Sequence, residues 1–100
     1  MLKGRERAYL MAQAASLDVI LTVGKSGVTG NVTAEAENAL RARELVKGRV
    51  LDACPLSSKE ALAVLAAACG AEAVQAIGSK FVLYRENPEI PEEKRIKRSK

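Results

Sequence analysis

From Val19 to Val23 the chain reads Val-Ile-Leu-Thr-Val, an apolar and β-branched run that predicts a buried strand. Before it, Ala8, Leu10, Met11, Ala14 and Ala15 recur at helical spacing behind the charged start Lys3, Arg5, Glu6 and Arg7, so residues 3–16 are predicted to be a helix, with Leu17 and Asp18 as the turn between the two. After the strand, Thr29 is a candidate N-cap, and Val32, Ala36, Ala39 and Leu40 fall on one face of a second helix reaching about Arg43. Glu35 and Glu37 are placed off that face. Residues 45–51 alternate loosely and predict a second strand with Lys47 and Arg49 on one side. Gly48 interrupts it, as a glycine does where a backbone bulges or another group approaches closely.

The third helix has the clearest punctuation. Ser57 and Glu60 form a capping-box pattern, Ala61, Leu62, Leu65, Ala66 and Cys69 make an apolar stripe, and Gly70 closes it. Residues 73–77 and 80–85 then read as two strands about a Gly78-Ser79 hairpin turn. Phe81 and Leu83 alternate with Val82 and Tyr84, so both faces of that last strand are expected to be covered. The fold class is therefore α/β: one domain over residues 1–85, in the order α-β-α-β-α-β-β, with a four-stranded mixed sheet backed by helices. Strands separated by helices predict parallel neighbours, and the hairpin adds an antiparallel pair. Residues 86–100 are polar, contain Pro88 and Pro91, and end with five basic residues in the last seven, which predicts a flexible basic tail.

Between the first strand and the second helix lies Gly24-Lys25-Ser26-Gly27-Val28-Thr29-Gly30. Glycines without a Cβ let the backbone turn sharply and approach a ligand, and a helix N-terminus adds unpaired N–H groups and a positive dipole end. With Lys25 beside them, the chemistry predicted is phosphate binding. A nucleotide-binding P-loop would need another glycine five residues before Gly24, where this chain has Val19. A G-x-x-G loop of the kind that clamps a nucleic-acid backbone fits better. The pattern alone does not separate it from a glycine turn that merely joins strand to helix.

Composition narrows the classes. The 100 residues are 48% hydrophobic, enough for a core without staples, and the net charge of +4 favours a polyanionic partner. Histidine is absent, which removes the commonest general base and metal ligand. Cys54 and Cys69 are spaced too far apart for a C-x-x-C pair and are expected to pack as small apolar residues in a reducing compartment. No catalytic residue, cofactor or metal site is expected. No stretch has the length of a membrane span and the N-terminus lacks the parts of a signal peptide, so the expectation is a soluble, cytoplasmic protein without a membrane partner.

The blocks Val23-Gly24-Lys25-Ser26-Gly27-Val28-Thr29, Ala39-Leu40, Glu44-Leu45-Val46-Lys47, Ile77-Gly78 and Val82-Leu83-Tyr84-Arg85, in this order and spacing, resemble the CRM domain (chloroplast RNA splicing and ribosome maturation) over residues 2–85. Its stand-alone bacterial members are of the YhbY type. The resemblance departs at Gly48, where family members carry an apolar β-former, and at Asp18, where many carry proline. It implies a fold like the C-terminal domain of translation initiation factor three. It also implies RNA binding through the G-x-x-G loop and association with ribosomal RNA in the precursor of the large ribosomal subunit.

On that basis Gly24, Lys25, Ser26 and Gly27 are the expected clamp. Lys25 neutralises a phosphate, Ser26 hydrogen-bonds phosphate or a 2′-OH, and the N–H groups of Ser26 and Gly27 complete it. Arg41, Arg43, Lys47, Arg49, Lys80 and Arg85 are candidates for the wider basic surface. With Tyr9, Phe81 and Tyr84 as the whole aromatic set, recognition by backbone and shape is expected rather than by a stacking platform. The expected state is a monomer. The competing class is a basic protein-interaction module that binds an acidic ribosomal or assembly protein; an enzyme acting on a phosphorylated small molecule is the third.

Overall fold

The fold was analysed in a computed structural model that describes residues 4–87, 89 and 90. Its elements are α1 (Gly4–Ala14), β1 (Leu21–Val23), α2 (Gly30–Ala42), β2 (Leu45–Val50), α3 (Ser58–Cys69), β3 (Glu72–Ile77) and β4 (Lys80–Tyr84), the order expected. The capping signals act as predicted. Ser57 Oγ accepts from Glu60 N at 3.1 Å while Glu60 Oε1 accepts from Ser57 N at 2.9 Å, which satisfies orphan donors at the start of α3. Gly70 ends that helix in the left-handed conformation, at φ 62°. Thr29 Oγ1 caps α2 by accepting from Val32 N at 3.3 Å.

The four strands make one mixed sheet in the order β1-β2-β4-β3, with β1 parallel to β2 and both β4 contacts antiparallel. Only β1 and β2 are thus parallel neighbours. The helix-linked strands β2 and β3 run the same way but are separated by β4, against the expectation for strands joined through a helix. Burial explains the placement. Phe81, Val82, Leu83 and Tyr84 are all buried and need cover on both faces, which a central strand receives. β3 carries Glu72, Ala73, Gln75 and Ile77 and goes to the edge, where a bulge between Ala73 and Gln75 leaves Val74 to turn inward.

Helices cover both faces of the sheet. On one side α2 and α3 pack Ala36, Leu40, Ala61, Leu65 and Cys69 against Leu21, Val23, Val46, Phe81 and Leu83. On the other, α1 packs Leu10 and Ala14 against Leu45, Val74, Val82 and Tyr84. The first strand is shorter and more one-sided than its apolar run predicts: Leu21 and Val23 are buried, but Thr22 is exposed and Ile20 is 41% exposed. The cause is reach, since α1 lies over β2 and β3 and leaves β1 without cover on that face. The α1 helix also stops at Ala14, two residues early, and Leu17 N closes a tight turn onto the Ala14 carbonyl at 3.0 Å.

Gly48 has a structural explanation. Leu21, Gly48 and Phe81 are register partners across three strands, and a Cβ on residue 48 would stand 2.5 Å from Phe81 Cζ and 3.1 Å from the Leu21 carbonyl oxygen. The phenyl ring occupies the volume that an apolar side chain on β2 would fill.

Candidate nucleic-acid interface

The Gly24–Gly27 segment is a β-turn, closed by Gly27 N donating to the Gly24 carbonyl at 3.0 Å. Lys25 and Ser26 are its two central residues, and both are exposed. Gly27 is buried and has φ 71°, a conformation that L side chains rarely adopt. A Cβ at Gly27 would lie 3.8 Å from the Pro55 ring and one at Gly24 3.8 Å from the Leu51 side chain, so the turn rests on the β2–α3 connection. That connection is itself anchored, with Leu51 N donating to the Val23 carbonyl at 2.9 Å and Cys54 N to the Leu51 carbonyl at 2.9 Å. Two residues beyond Gly27 the Thr29 cap starts α2, so the turn and the helix N-terminus stand together, as expected for a phosphate site. One detail differs from the expected clamp: the Gly27 N–H is used inside the turn, which leaves Lys25 and Ser26 as its exposed residues.

The structure separates the ten sequence-predicted residues into two groups. Thr22 pairs in register with Arg49, Arg49 with Lys80, and Lys80 with Ile77, a row across all four strands just before the turn. The Gly78-Ser79 hairpin lies at the same end, where Val50 N donates to the Ser79 carbonyl at 2.8 Å. Gly24, Lys25, Ser26, Gly27, Arg49 and Lys80 therefore share one end of the sheet, with Lys47 one pleat further in on the face of Arg49. Lys47 and Arg49 do project to one side of β2, as predicted. Among the described residues no carboxylate forms an ion pair with Lys25, Arg49 or Lys80.

Arg41, Arg43 and Arg85 sit at the opposite end, a full helix away, and 13 residues of α2 span about 20 Å. There Glu37, placed off the apolar face by its spacing, is the organising group. Arg85 Nη1 and Nη2 donate to its two carboxylate oxygens at 2.9 and 2.7 Å, and Nη1 also donates to the Cys69 carbonyl at 2.8 Å. Arg41 Nε joins at 3.4 Å. The Arg85 hydrogen bonds, with the charges of Arg85 and Arg41, hold the Glu37 carboxyl below its usual range, against a smaller effect of burial. Burial and then the Glu37 charge push the Cys69 thiol up. Both cysteines are free and pack on the core, as expected of small apolar residues.

Two features had no readable signal. Glu44 is 1% exposed and its Oε2 accepts from Asn87 N at 2.6 Å, while Asn87 Nδ2 donates to the Arg41 carbonyl at 3.1 Å, so the chain is held to the domain beyond residue 85. Leu51 and Pro55, which support the glycine turn, are separated from it by the whole of α2 and β2. Neither pair follows a periodicity or a motif. Of the expected basic tail, residues 86–100, position 88 and positions 91–100 lie outside the described residues. Among the described residues no group of three metal-ligating side chains comes together, and no helix is long and apolar enough to cross a membrane.

A domain with helices on both faces of a mixed sheet, carrying an exposed Lys-Ser glycine turn between its first strand and second helix, is of the kind that the sequence blocks above resemble. The chain belongs to the CRS1 / YhbY (CRM) domain family, whose model matches residues 2–85. It is 37% identical over 89 residues to the Probable RNA-binding protein YqeI of Bacillus subtilis, covering 89% of this chain and 93% of that one. It is 33% identical over 88 residues to a Haemophilus influenzae protein named RNA-binding protein, covering 88% and 89% of the two chains. The solution structure of SAV1595 from Staphylococcus aureus, described as a candidate RNA binding protein, matches with a TM-score of 0.75 at 37% identity, over 92% of this chain and 96% of that one.

Proposed function

We propose that this protein binds RNA through the Gly24–Gly27 turn and acts as a cytoplasmic monomer in assembly of the large ribosomal subunit, gripping ribosomal RNA by its backbone. The observation that carries the reading is the grouping of Lys25, Ser26, Arg49 and Lys80 at one end of the sheet, without a described carboxylate paired to the three cations. An exposed cation that no protein carboxylate neutralises is available to a phosphate. The two relatives named as RNA-binding proteins, and the SAV1595 structure described in the same terms, support RNA as the polyanion. In this reading Lys25 neutralises one phosphate, the Ser26 hydroxyl hydrogen-bonds a phosphate or a 2′-OH, and glycines 24 and 27 seat the turn on Leu51 and Pro55 so that its tip faces the ribose-phosphate chain. Arg49 and Lys80 extend the contact along the sheet end.

The test is co-sedimentation of the full chain with large-subunit precursors, before and after nuclease digestion. Co-sedimentation that disappears with the RNA supports the proposal. Co-sedimentation that survives digestion would instead make the basic end a docking surface for an acidic protein.

A further inference from the structure

Next to the Thr22–Arg49–Lys80–Ile77 row, the sheet face is left open because α1 ends at Ala14. The step between helix and sheet is a cavity of about 440 Å³, within the roughly 300–1,000 Å³ typical of small-molecule sites. Its floor is Val82 and Phe81, its helix wall includes Met11 and Ala12, and Lys47, Gln75 and Lys80 form its polar rim. Lys47 is held there by donating from Nζ to the Ala14 carbonyl at 3.3 Å. No carboxylate lines the cavity. Ile77, on the same rim, is 65% exposed, the most exposed of the large hydrophobic residues described.

We infer that this cavity receives an unpaired base of the bound RNA, with Lys80 and Lys47 on the adjoining phosphate. The inference rests on the RNA-binding reading of the glycine turn. A nucleobase needs a flat apolar bed, a group able to donate and accept at its edge, and a cation beside its phosphate; Val82 and Met11, the Gln75 amide and the two lysines supply these. The site is continuous with the turn. Lys80 on β4 pairs with Arg49 on β2, and Arg49 with Thr22, the second residue before Gly24. Two strand spacings are about 10 Å, a distance that a short stretch of single-stranded RNA covers. The turn then holds backbone without reading sequence, and the cavity is where base identity enters.

The experiment uses the full chain labelled with ¹⁵N and four probes: a mixed-sequence single-stranded RNA decamer, its abasic counterpart, the mononucleotides, and a decaglutamate peptide. Burying about 50 Å² of base at about 25 cal/mol/Å² corresponds to roughly tenfold in affinity, so the decamer should bind about that much tighter than the abasic chain. The amide signals of Ala12, Gln75 and Ile77 should shift with the decamer and not with the abasic chain. Ala12→Phe fills the cavity from an exposed helix position and should bring the two affinities together; Gln75→Glu, which puts a carboxylate on the rim, should do the same. Lys25→Ala should weaken both oligomers by one factor. If both variants keep the full preference for bases, or if the peptide or the abasic chain moves these signals as readily as the decamer, the cavity is not a base site, although binding through the turn stands; a mononucleotide that moves them supports the site. If neither oligomer binds, the RNA-binding reading falls and the cavity assignment with it.

Discussion

At the end of the sheet that carries the glycine turn, Lys25, Arg49 and Lys80 project from a turn and two strand ends. At the opposite end, Arg85 and Arg41 converge on Glu37, and Asn87 is tied to the buried Glu44. The two ends contain the same residue type and differ in what neutralises it. A guanidinium that spends its hydrogen bonds on a carboxylate and the Cys69 carbonyl holds the C-terminal ends of α2 and α3 to β4, and has little left for a ligand. A lysine at the tip of a turn contributes little to the fold and keeps its charge for a partner. Clusters of basic residues in a sequence therefore overstate an interface unless the carboxylates among them are placed.

A series of substitutions tests this contrast. The largest effect is expected at Gly48, which belongs to neither end. Gly48→Val must displace the Phe81 ring, and overpacking of this kind costs about 1–3 kcal/mol or more. Denaturant unfolding should show that loss, and binding should weaken with it because both ends hang on this strand. Next is Gly27→Val. A β-branched residue at φ 71° carries about 1–2 kcal/mol of strain. The added side chain is directed at the Pro55 ring, so the turn that presents Lys25 and Ser26 is displaced and, in the proposed reading, affinity should fall further than the melting temperature alone explains.

Arg85→Ala tests the far end. It should lower the melting temperature and leave RNA affinity unchanged; an equal loss of affinity would extend the interface to that end and dissolve the contrast. The same pair has a pH signature. Because Arg85 lowers the Glu37 pKa in the fold, its stabilisation is complete above the ordinary glutamate value of 4.5 and is lost as the pH falls through the lowered folded value. The melting-temperature gap between the wild type and Glu37→Gln should therefore be full at neutral pH and close in acid. The smallest effect is Lys25→Ala, with no change in melting temperature. The slope of log affinity against log salt should drop by about 0.7, the amount for one single-strand phosphate contact, with all RNAs weakened alike. An unchanged slope would leave the turn as a plain connection.

Local signals were legible wherever neighbours in sequence are partners in space. The Ser57–Glu60 box, the Thr29 cap, the Gly70 stop and the Gly78 turn are each closed within a few residues, and each stands where its pattern placed it. The apolar stripes of α2 and α3 likewise needed only helical spacing. The segment from Val19 to Val23 shows where this kind of reading ends. Its hydrophobicity marks a strand, but whether Ile20 and Thr22 are covered depends on how far α1 extends over the sheet.

The order of elements, their caps, and a glycine turn with Lys25 and Ser26 at its tip were all settled by the amino-acid sequence. These rest on hydrogen bonds and backbone preferences that act over a few residues. Which cations are available was settled by tertiary packing alone. Glu37 and Arg85 are 48 residues apart and meet because α2 lies along the sheet in which β4 takes a central place. The same insertion of β4 between β2 and β3 brings Lys80 beside Arg49 and puts Phe81 over Gly48. Strand order follows from burying Phe81, Val82, Leu83 and Tyr84 on both faces at once, a requirement on the whole core that no local window of sequence contains.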